Sequence, residues 1–412
     1  METDKNAQGL GERDHRRLGQ ELDLFVFSDL VGSGLPLFTP KGTILRDELI
    51  KLSEELQQKH GFQKVWIPHI AKTDLYKKSG HWDKFGNELF LVKSQETDDQ
   101  FVLKPMSCPH HAQIFAARPR SYRDLPIRLM ETTTCYRDEK SGELLGLTRV
   151  RSFNQDDAHV FCTMEQVAGE FTAIMSMIKE MYRALGLAFK ARLSFHDPAN
   201  KAKYLGEPAQ WAEGEKVLQN IADKLKLEYS VGVGEAAFYG PKIDILVIDS
   251  LSREWQCATE QLDFVQPVRL GLEYTDTDGQ KKTPVMIHKA LLGSVERFLS
   301  IYLEHTAGVF PLWLAPVQVK ILPISDKHHD YAKQIAHELK KNKVRVELDE
   351  SNETLGKKIR QGKVEKIPYL VVLGDQEVTN QTLTIESHDD GKSESNLADF
   401  VAKLQAEIKN RS

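Results

Sequence analysis

The sequence predicts an α+β domain built on an antiparallel sheet, followed by a small α/β domain. Three observations carry that expectation. Through most of the chain, strand-like runs are joined by short polar turns, as in antiparallel hairpins. From about residue 317 onward, apolar runs alternate with amphipathic helical stretches, as in βαβ units. Between them, PLWLAPVQ (311–318) places two prolines and a tryptophan at a boundary. The expected division of the 412 residues is an extension over 1–20, a large domain over 21–314 and a small one over 315–412.

In chain order, TILRDELIKLSEELQQKH (43–60) reads as a long helix, and FQKVWIPHI after it as a strand ending in Pro68. FVLKPMSCPHHAQIF (101–115) reads as strand, turn and helix start. RLMETTTCYRD and RVRSFNQDDAHVF, within 126–162, are two β-like runs around the polar turn EKSGELLG. A helix follows over 165–185, with Gly186 where a C-cap belongs. KIDILVID (242–249) and REWQCATEQLDF (253–264) read as paired strands, and HKALLGSVERFLSIYLEH (288–305) as a helix. In the tail, strands are expected at 317–324, 344–349 and 368–374, with helices over 330–343, 353–366 and 396–410. That order implies a largely parallel sheet.

Composition narrows the class. With 41% hydrophobic and 28% charged residues, the chain is neither a collagen, a coiled-coil rod nor a mostly disordered polymer. No apolar run reaches the roughly 18–20 residues of a membrane span. The polar, mixed-charge start resembles neither a secretory signal nor a transit peptide. A cytoplasmic location is expected, or an organellar matrix if a transit peptide was removed. Cys108, Cys135, Cys162 and Cys257 have no CxxC spacing, which fits a reducing compartment. The net charge, 55 − 60 = −5, argues against coating nucleic acid by bulk charge but leaves a local basic face open. Lys357, Lys358, Arg360, Lys363 and Lys366, against Glu365 alone, form such a run, either a solvated helix face or an RNA-backbone contact.

Two constellations carry chemistry. Arg128, Arg137, Arg149 and Arg151 lie on the 126–162 hairpin among Glu131, Glu139, Asp156 and Asp157. Arginine's planar fork suits phosphate and carboxylate, and an interstrand ion-pair ladder is the alternative. Cys108, His159 and His288 would give three ligands and an open zinc position, but their long spacings match no regular motif and by themselves favour a buried thiol and two hydrogen-bonded imidazoles. GVGEAAFYGPK (232–242) matches neither a Walker loop nor the Rossmann fingerprint.

These stretches together resemble the class II aminoacyl-tRNA synthetases, and among them the threonyl-tRNA synthetases. GSGLPLFTPKGTILRDELIKLSEELQQKHGFQKVWIPHI (32–70) is similar to motif 1, CYRDEKSGELLGLTRVRSFNQDDAH (135–159) to motif 2 and HKALLGSVERF (288–298) to motif 3. KPMSCPHH, FYGPKID, WQCATEQLDF and FPLWLAPVQV are typical of the threonyl enzymes. The resemblance implies the class II synthetase fold, an anticodon-binding domain over 315–412 and ATP-dependent ligation of L-threonine to tRNA(Thr) through a threonyl-adenylate. It implies a zinc ion on Cys108, His159 and His288 that binds the amino group and hydroxyl of threonine, and Mg2+ with ATP. Arg137, Glu139, Arg149, Phe153 and Arg297 would bind ATP, with Arg137, Arg297, Lys242 and Gln155 in catalytic roles. Met106, Asp157, Tyr239, Gln256 and Gln261 would line the threonine and adenylate pocket. Lys357, Lys358, Arg360 and Glu377 would meet the anticodon. A homodimer through motif 1 is implied, and no membrane partner.

Several positions depart from the family pattern. Thr132–Thr133 and Ala258 stand where many relatives carry an aromatic followed by a small residue, and a glycine, respectively; Lys289 replaces a common arginine. About a dozen residues precede the catalytic region, so no editing region is expected, and serine would be misactivated without clearance of seryl-tRNA in cis. The competing expectation is a catalytically silent, synthetase-like RNA-binding or regulatory protein.

Overall fold

The computed structural model describes residues 11–200, 202–388 and 391–411. The chain divides into two compact units. One comprises Phe27–Pro36 and Ile50–Ile301; the other takes the segment ending at Val26, Leu37–Leu49, and the chain from Tyr302.

The first unit is organised by an eight-stranded sheet: β1 Gln63–Lys64, β2 Ile127–Tyr136, β3 Ser152–Cys162, β4 Phe189–Phe195, β5 Tyr229–Val233, β6 Lys242–Ile248, β7 Glu254–Asp263 and β8 Val285–Ala290. Its order is β5-β4-β6-β7-β8-β3-β2-β1, antiparallel except for the outer pairs β5–β4 and β1–β2. The register aligns one row across six strands: Leu129, His159, His288, Gln261, Lys242 and Ser194 are successive cross-strand partners.

Two helices show the apolar periodicity the sequence predicts. The helix Pro40–Lys59 has proline in its first turn and Thr39 Oγ1 accepting from the Gly42 N–H (3.2 Å), so its start is capped. Its leucines 45, 49, 52 and 56 are all buried, the periodicity of one apolar face. Val167–Ala184 buries Phe171, Ile174, Ile178 and Met181, and Gly186 follows at φ +66°.

Two elements differ from the sequence reading. HKALLGSVERFLSIYLEH is not one helix: 285–290 is strand β8, and the helix begins at Val295. Gly293 at φ +71° breaks the run, and a Cβ there would meet the Cys257 carbonyl at 2.7 Å. His288 is therefore a sheet residue. FQKVWIPHI pairs only through β1 before Pro68, and its end joins a separate small sheet through Ile70–Lys72.

The second unit contains a five-stranded sheet ordered Val346–Leu348, Val319–Pro323, Tyr369–Leu373, Leu383–Ser387, Gly391–Ser395. The first three are parallel, as expected; the last two form an antiparallel hairpin that the sequence reading missed. Its signal was the alternation LTIES, with Leu383 and Ile385 buried in the core. Helices His329–Lys341 and Leu397–Asn410 bury Ile335, Leu339, Phe400 and Leu404 against Ile321, Val371 and Leu373.

Candidate functional site

The three expected metal ligands converge. Cys108, at the start of the helix Cys108–Ala116, and His159 and His288, on adjacent strands, are all buried, and their ligand atoms lie within 4.8 Å of one another. His288 Nε2 is 2.8 Å from Asp263 Oδ2, leaving Nδ1 to face His159 Nε2 at 3.1 Å. His159 Nδ1 in turn meets His111 Nδ1 at 2.8 Å. Each imidazole is thus anchored through one nitrogen and presents the other inward, the arrangement of a metal site's supporting shell. Burial holds the His159 pKa well below its usual range, so it is neutral and able to ligate; burial pushes the Cys108 thiol well above its own, which a bound cation would reverse. His81 approaches Cys108 Sγ at 3.4 Å, and burial lowers its pKa to about 3. The donor set and its fixed nitrogens fit zinc.

Around this centre, the Tyr239 ring stacks on His288 (4.5 Å between centroids) and its hydroxyl donates to Gln261 Oε1. Asp157 accepts from the Ser107 N–H and lies 3.6 Å from His159 Nε2. Lys242 Nζ, Gln256 Nε2 and Thr259 Oγ1 all donate to Asp244, at 2.8, 2.7 and 2.9 Å, and Ser194 Oγ adds a fourth bond at 2.7 Å. Gln256 and Gln261 are five apart and would face opposite ways on a regular strand. A register shift between Asp244 and Leu246 lets Gln256 reach the carboxylate on the row face.

The Arg137 guanidinium lies over the rings of Phe85 (5.0 Å) and Phe153 (5.1 Å), with Nη2 3.1 Å from Met106 Sδ. Its buried Nε has no hydrogen-bond partner among the described residues. Glu139 is paired by Arg149 (2.9 Å), which also reaches Glu143 (2.7 Å). Thr133 Oγ1 accepts from the fully buried Lys104 (2.7 Å), an ammonium whose pKa burial lowers. Gln155 bridges to Ser294, and exposed Arg297 lies 5.9 Å over the Trp255 ring.

Asp156, unassigned from sequence, joins β3 to the turn before Arg297. Its buried carboxylate accepts from the N–H groups of Leu291 (2.8 Å), Leu292 (3.1 Å) and Gly293 (3.0 Å) and from Ser53 Oγ (2.9 Å). Asp244, Asp263 and His111 were missed likewise. The signal of the two aspartates was a carboxylate inside an otherwise apolar strand, as in KIDILVID and EQLDF, where burial requires partners.

In the second unit the basic run is split by its helix, Leu355–Val364. Lys358 points inward to the carbonyls of Pro323 (3.3 Å) and Asp349 (3.2 Å). Lys357 pairs with Glu353 (2.6 Å), and Arg360 is exposed. Both Glu377 oxygens are engaged, by the Gly374 N–H (2.8 Å) and Thr384 Oγ1 (2.7 Å).

Comparison with known proteins agrees with this architecture. The family "tRNA synthetase class II core domain (G, H, P, S and T)" matches residues 90–306, and "Anticodon binding domain" matches 318–407. The chain belongs to the class II aminoacyl-tRNA synthetases. It is 46% identical over 407 residues to a threonine–tRNA ligase of Chlorobium phaeobacteroides, covering 97% of this chain and 62% of that one. A threonine–tRNA ligase of Gloeobacter violaceus is 47% identical over 409 residues, covering 97% and 65%. A crystal structure described as the RNA binding domain of threonyl-tRNA synthetase from Cryptosporidium parvum superposes with a TM-score of 0.90 at 38% identity, covering 95% of this chain and 98% of that one. Within its class the chain is a member of the threonyl-tRNA synthetase family. It spans less than two thirds of the length of the curated relatives it matches. No helix among the described residues is long and apolar enough to cross a membrane.

Proposed function

We propose that this chain activates L-threonine with ATP and transfers it to tRNA(Thr), selecting the amino acid through zinc held by Cys108, His159 and His288. The observation that carries the reading is the convergence of those three buried donors on the sheet row that also bears Gln261 and Lys242. Bound there, zinc would supply a Lewis-acid site for the amine and hydroxyl of threonine, against which valine leaves a coordination position unfilled.

The chain's own residues do the rest. Asp157 and the Tyr239 hydroxyl orient the amino group, with Gln261 fixing that hydroxyl. Arg137 has a buried Nε without a hydrogen-bond partner among the described residues and an Nη2 facing the Met106 sulfur, so it is a cation suited to an anion. Placed between the threonine carboxylate and the ATP α-phosphate, it brings nucleophile and phosphorus together. The carboxylate oxygen attacks the α-phosphorus, the bond to the β-phosphate oxygen breaks, and pyrophosphate leaves. Arg297 balances charge on the departing phosphates, and Mg2+ arriving with ATP as part of the substrate would add to that charge neutralisation. Glu139, Arg149 and Phe153 hold the nucleotide, while Gln155, Lys242, Gln256 and Met106 enclose the adenylate. A terminal ribose hydroxyl of tRNA then attacks the carbonyl, and AMP leaves.

In the second unit, Lys357 and Arg360 meet the anticodon stem and loop, Lys358 holds their helix against the Pro323 and Asp349 carbonyls, and Glu377 fixes the turn at Gly374. The proposal includes a motif 1 homodimer, checked by light scattering, and no hydrolysis of seryl-tRNA by these 412 residues; rapid clearance by the purified chain overturns that part.

The test is amino-acid-dependent ATP–pyrophosphate exchange on zinc-replete protein. Exchange with threonine, weaker exchange with serine, and none with valine or proline are expected. No exchange with threonine overturns the reading in favour of a silent, RNA-binding protein.

A further inference from the structure

We propose that Thr259 is a positioning residue for amino-acid recognition: its hydroxyl, committed to Asp244, fixes the direction of a hydrogen-bond chain that ends with the Tyr239 oxygen offering a lone pair to the amino group of the substrate. The inference rests on the proposed threonine pocket and extends it to a residue outside the set that touches the substrate.

Asp244 on β6 and Thr259 on β7 are cross-strand partners. The Asp244 carboxylate is completely buried, and Ser194 Oγ, Lys242 Nζ and Gln256 Nε2 hold it in place. Thr259 Oγ1 lies 2.9 Å from Asp244 Oδ1, and Gln261 Nε2 lies 3.2 Å from Thr259 Oγ1. The other end of the Gln261 carboxamide meets the Tyr239 hydroxyl, on a ring stacked against His288. Two strands and the segment before β6 thus supply one continuous chain, from a buried carboxylate to the edge of the metal centre.

The direction of that chain follows from what each group can donate. An ionised carboxylate only accepts, so the proton between Asp244 and Thr259 belongs to Thr259. With that proton committed, Thr259 Oγ1 has only lone pairs left, and Gln261 must turn an amide N–H toward it. The Gln261 carbonyl oxygen then faces Tyr239 and can only accept, which commits the phenol proton as well. What remains on the Tyr239 oxygen is acceptor capacity, the complement of an amine N–H. Without the Thr259 hydroxyl the carboxamide is free to turn over, and the Tyr239 proton can then point at the incoming amine.

Thr259→Val removes the hydroxyl at nearly constant shape, Thr259→Ala removes it with loss of bulk, and Thr259→Ser keeps it. The Kd for threonine is measured by titration calorimetry on zinc-replete protein, and the KM for ATP by pyrophosphate exchange. Folded Thr259→Val and Thr259→Ala are expected to bind threonine about tenfold more weakly, the scale of one well-placed hydrogen bond, with the KM for ATP unchanged. Thr259→Ser should keep the wild-type Kd. In a Tyr239→Phe background, Thr259→Val should cost less than about twofold, because the oxygen it orients is already gone. An unchanged Kd in either folded hydroxyl-free variant overturns the inference, as does the full loss in both backgrounds or a matching rise in the KM for ATP. If wild type binds no threonine, the threonine reading itself falls, and this inference with it.

Discussion

The eight-stranded and five-stranded sheets of this chain use polar residues in opposite ways. In the eight-stranded sheet, two histidines, a glutamine and a lysine stand in one cross-strand row, each imidazole of the candidate metal centre fixed by a partner behind it. In the five-stranded sheet the strands spend Val319, Ile321, Val371, Leu383 and Ile385 on a core, and most of the basic residues lie on helices. There, charges are paired at or near the surface, as in Lys357–Glu353 and Lys363–Glu386. Such pairs contribute little to stability and rearrange easily. Buried, anchored donors suit a ligand of fixed geometry; solvated cations suit a flexible polyanion.

The sharpest way to break this contrast is His288→Ala. It removes one proposed ligand and leaves Asp263 Oδ2 without its imidazole partner, so zinc content should fall to background and threonine-dependent exchange by at least about a thousandfold, taking the loss as some 4 kcal/mol of transition-state stabilisation. Retained exchange in metal-free protein would dissolve the distinction between the sheets.

Asp156→Asn tests the scaffold beside the row. One carboxylate now serves three backbone N–H groups and a hydroxyl, and an amide nitrogen facing them cannot accept. A loss of about 1–3 kcal/mol in urea unfolding is expected, with a raised KM for ATP because the turn before Arg297 loosens.

Glu260 probes the reverse face of the same sheet. It is opposite Lys289 in register, fully buried, and has no hydrogen-bond partner among the described residues; burial raises its pKa well above the usual value. A raised folded pKa means stability that is present below the unfolded value near 4.5 and lost as pH climbs toward the folded one. Glu260→Gln should match wild type at pH 4 and be the more stable above it, by no more than about 1.4 kcal/mol per pH unit across that window. Urea midpoints at pH 4 and 8 decide this.

The smallest effect on stability belongs to the other sheet. Lys357→Ala with Arg360→Ala should leave the unfolding midpoint within about 0.5 kcal/mol of wild type. It should weaken tRNA binding and lower the salt dependence by about one unit of slope per lost contact. An unchanged salt slope would mean those cations face only water.

Much of this was legible along the chain. The 126–162 hairpin, the 242–264 strand pair and the tail's βαβ order were all visible as periodicity and turn residues, because local spacing encodes them. The strand at 285–290 was hidden because HKALL reads as helix until Gly293 is seen to need a positive φ. The tail hairpin was hidden because its second strand, GKSES, is exposed and polar and has no apolar alternation to betray it.

The candidate site divides along the same line. Motif similarity named Cys108, His159, His288, Arg137 and Arg297 without any structure, since the identity of a ligand is a property of its side chain. What only the tertiary structure decided is that His159 and His288, 129 residues apart, are cross-strand neighbours, and that Asp263, His111, Asp156 and Asp244 support them or the residues around them. Register and burial are set by packing over the whole sheet, so no local pattern reports which distant carboxylate will be the one left to hold a histidine.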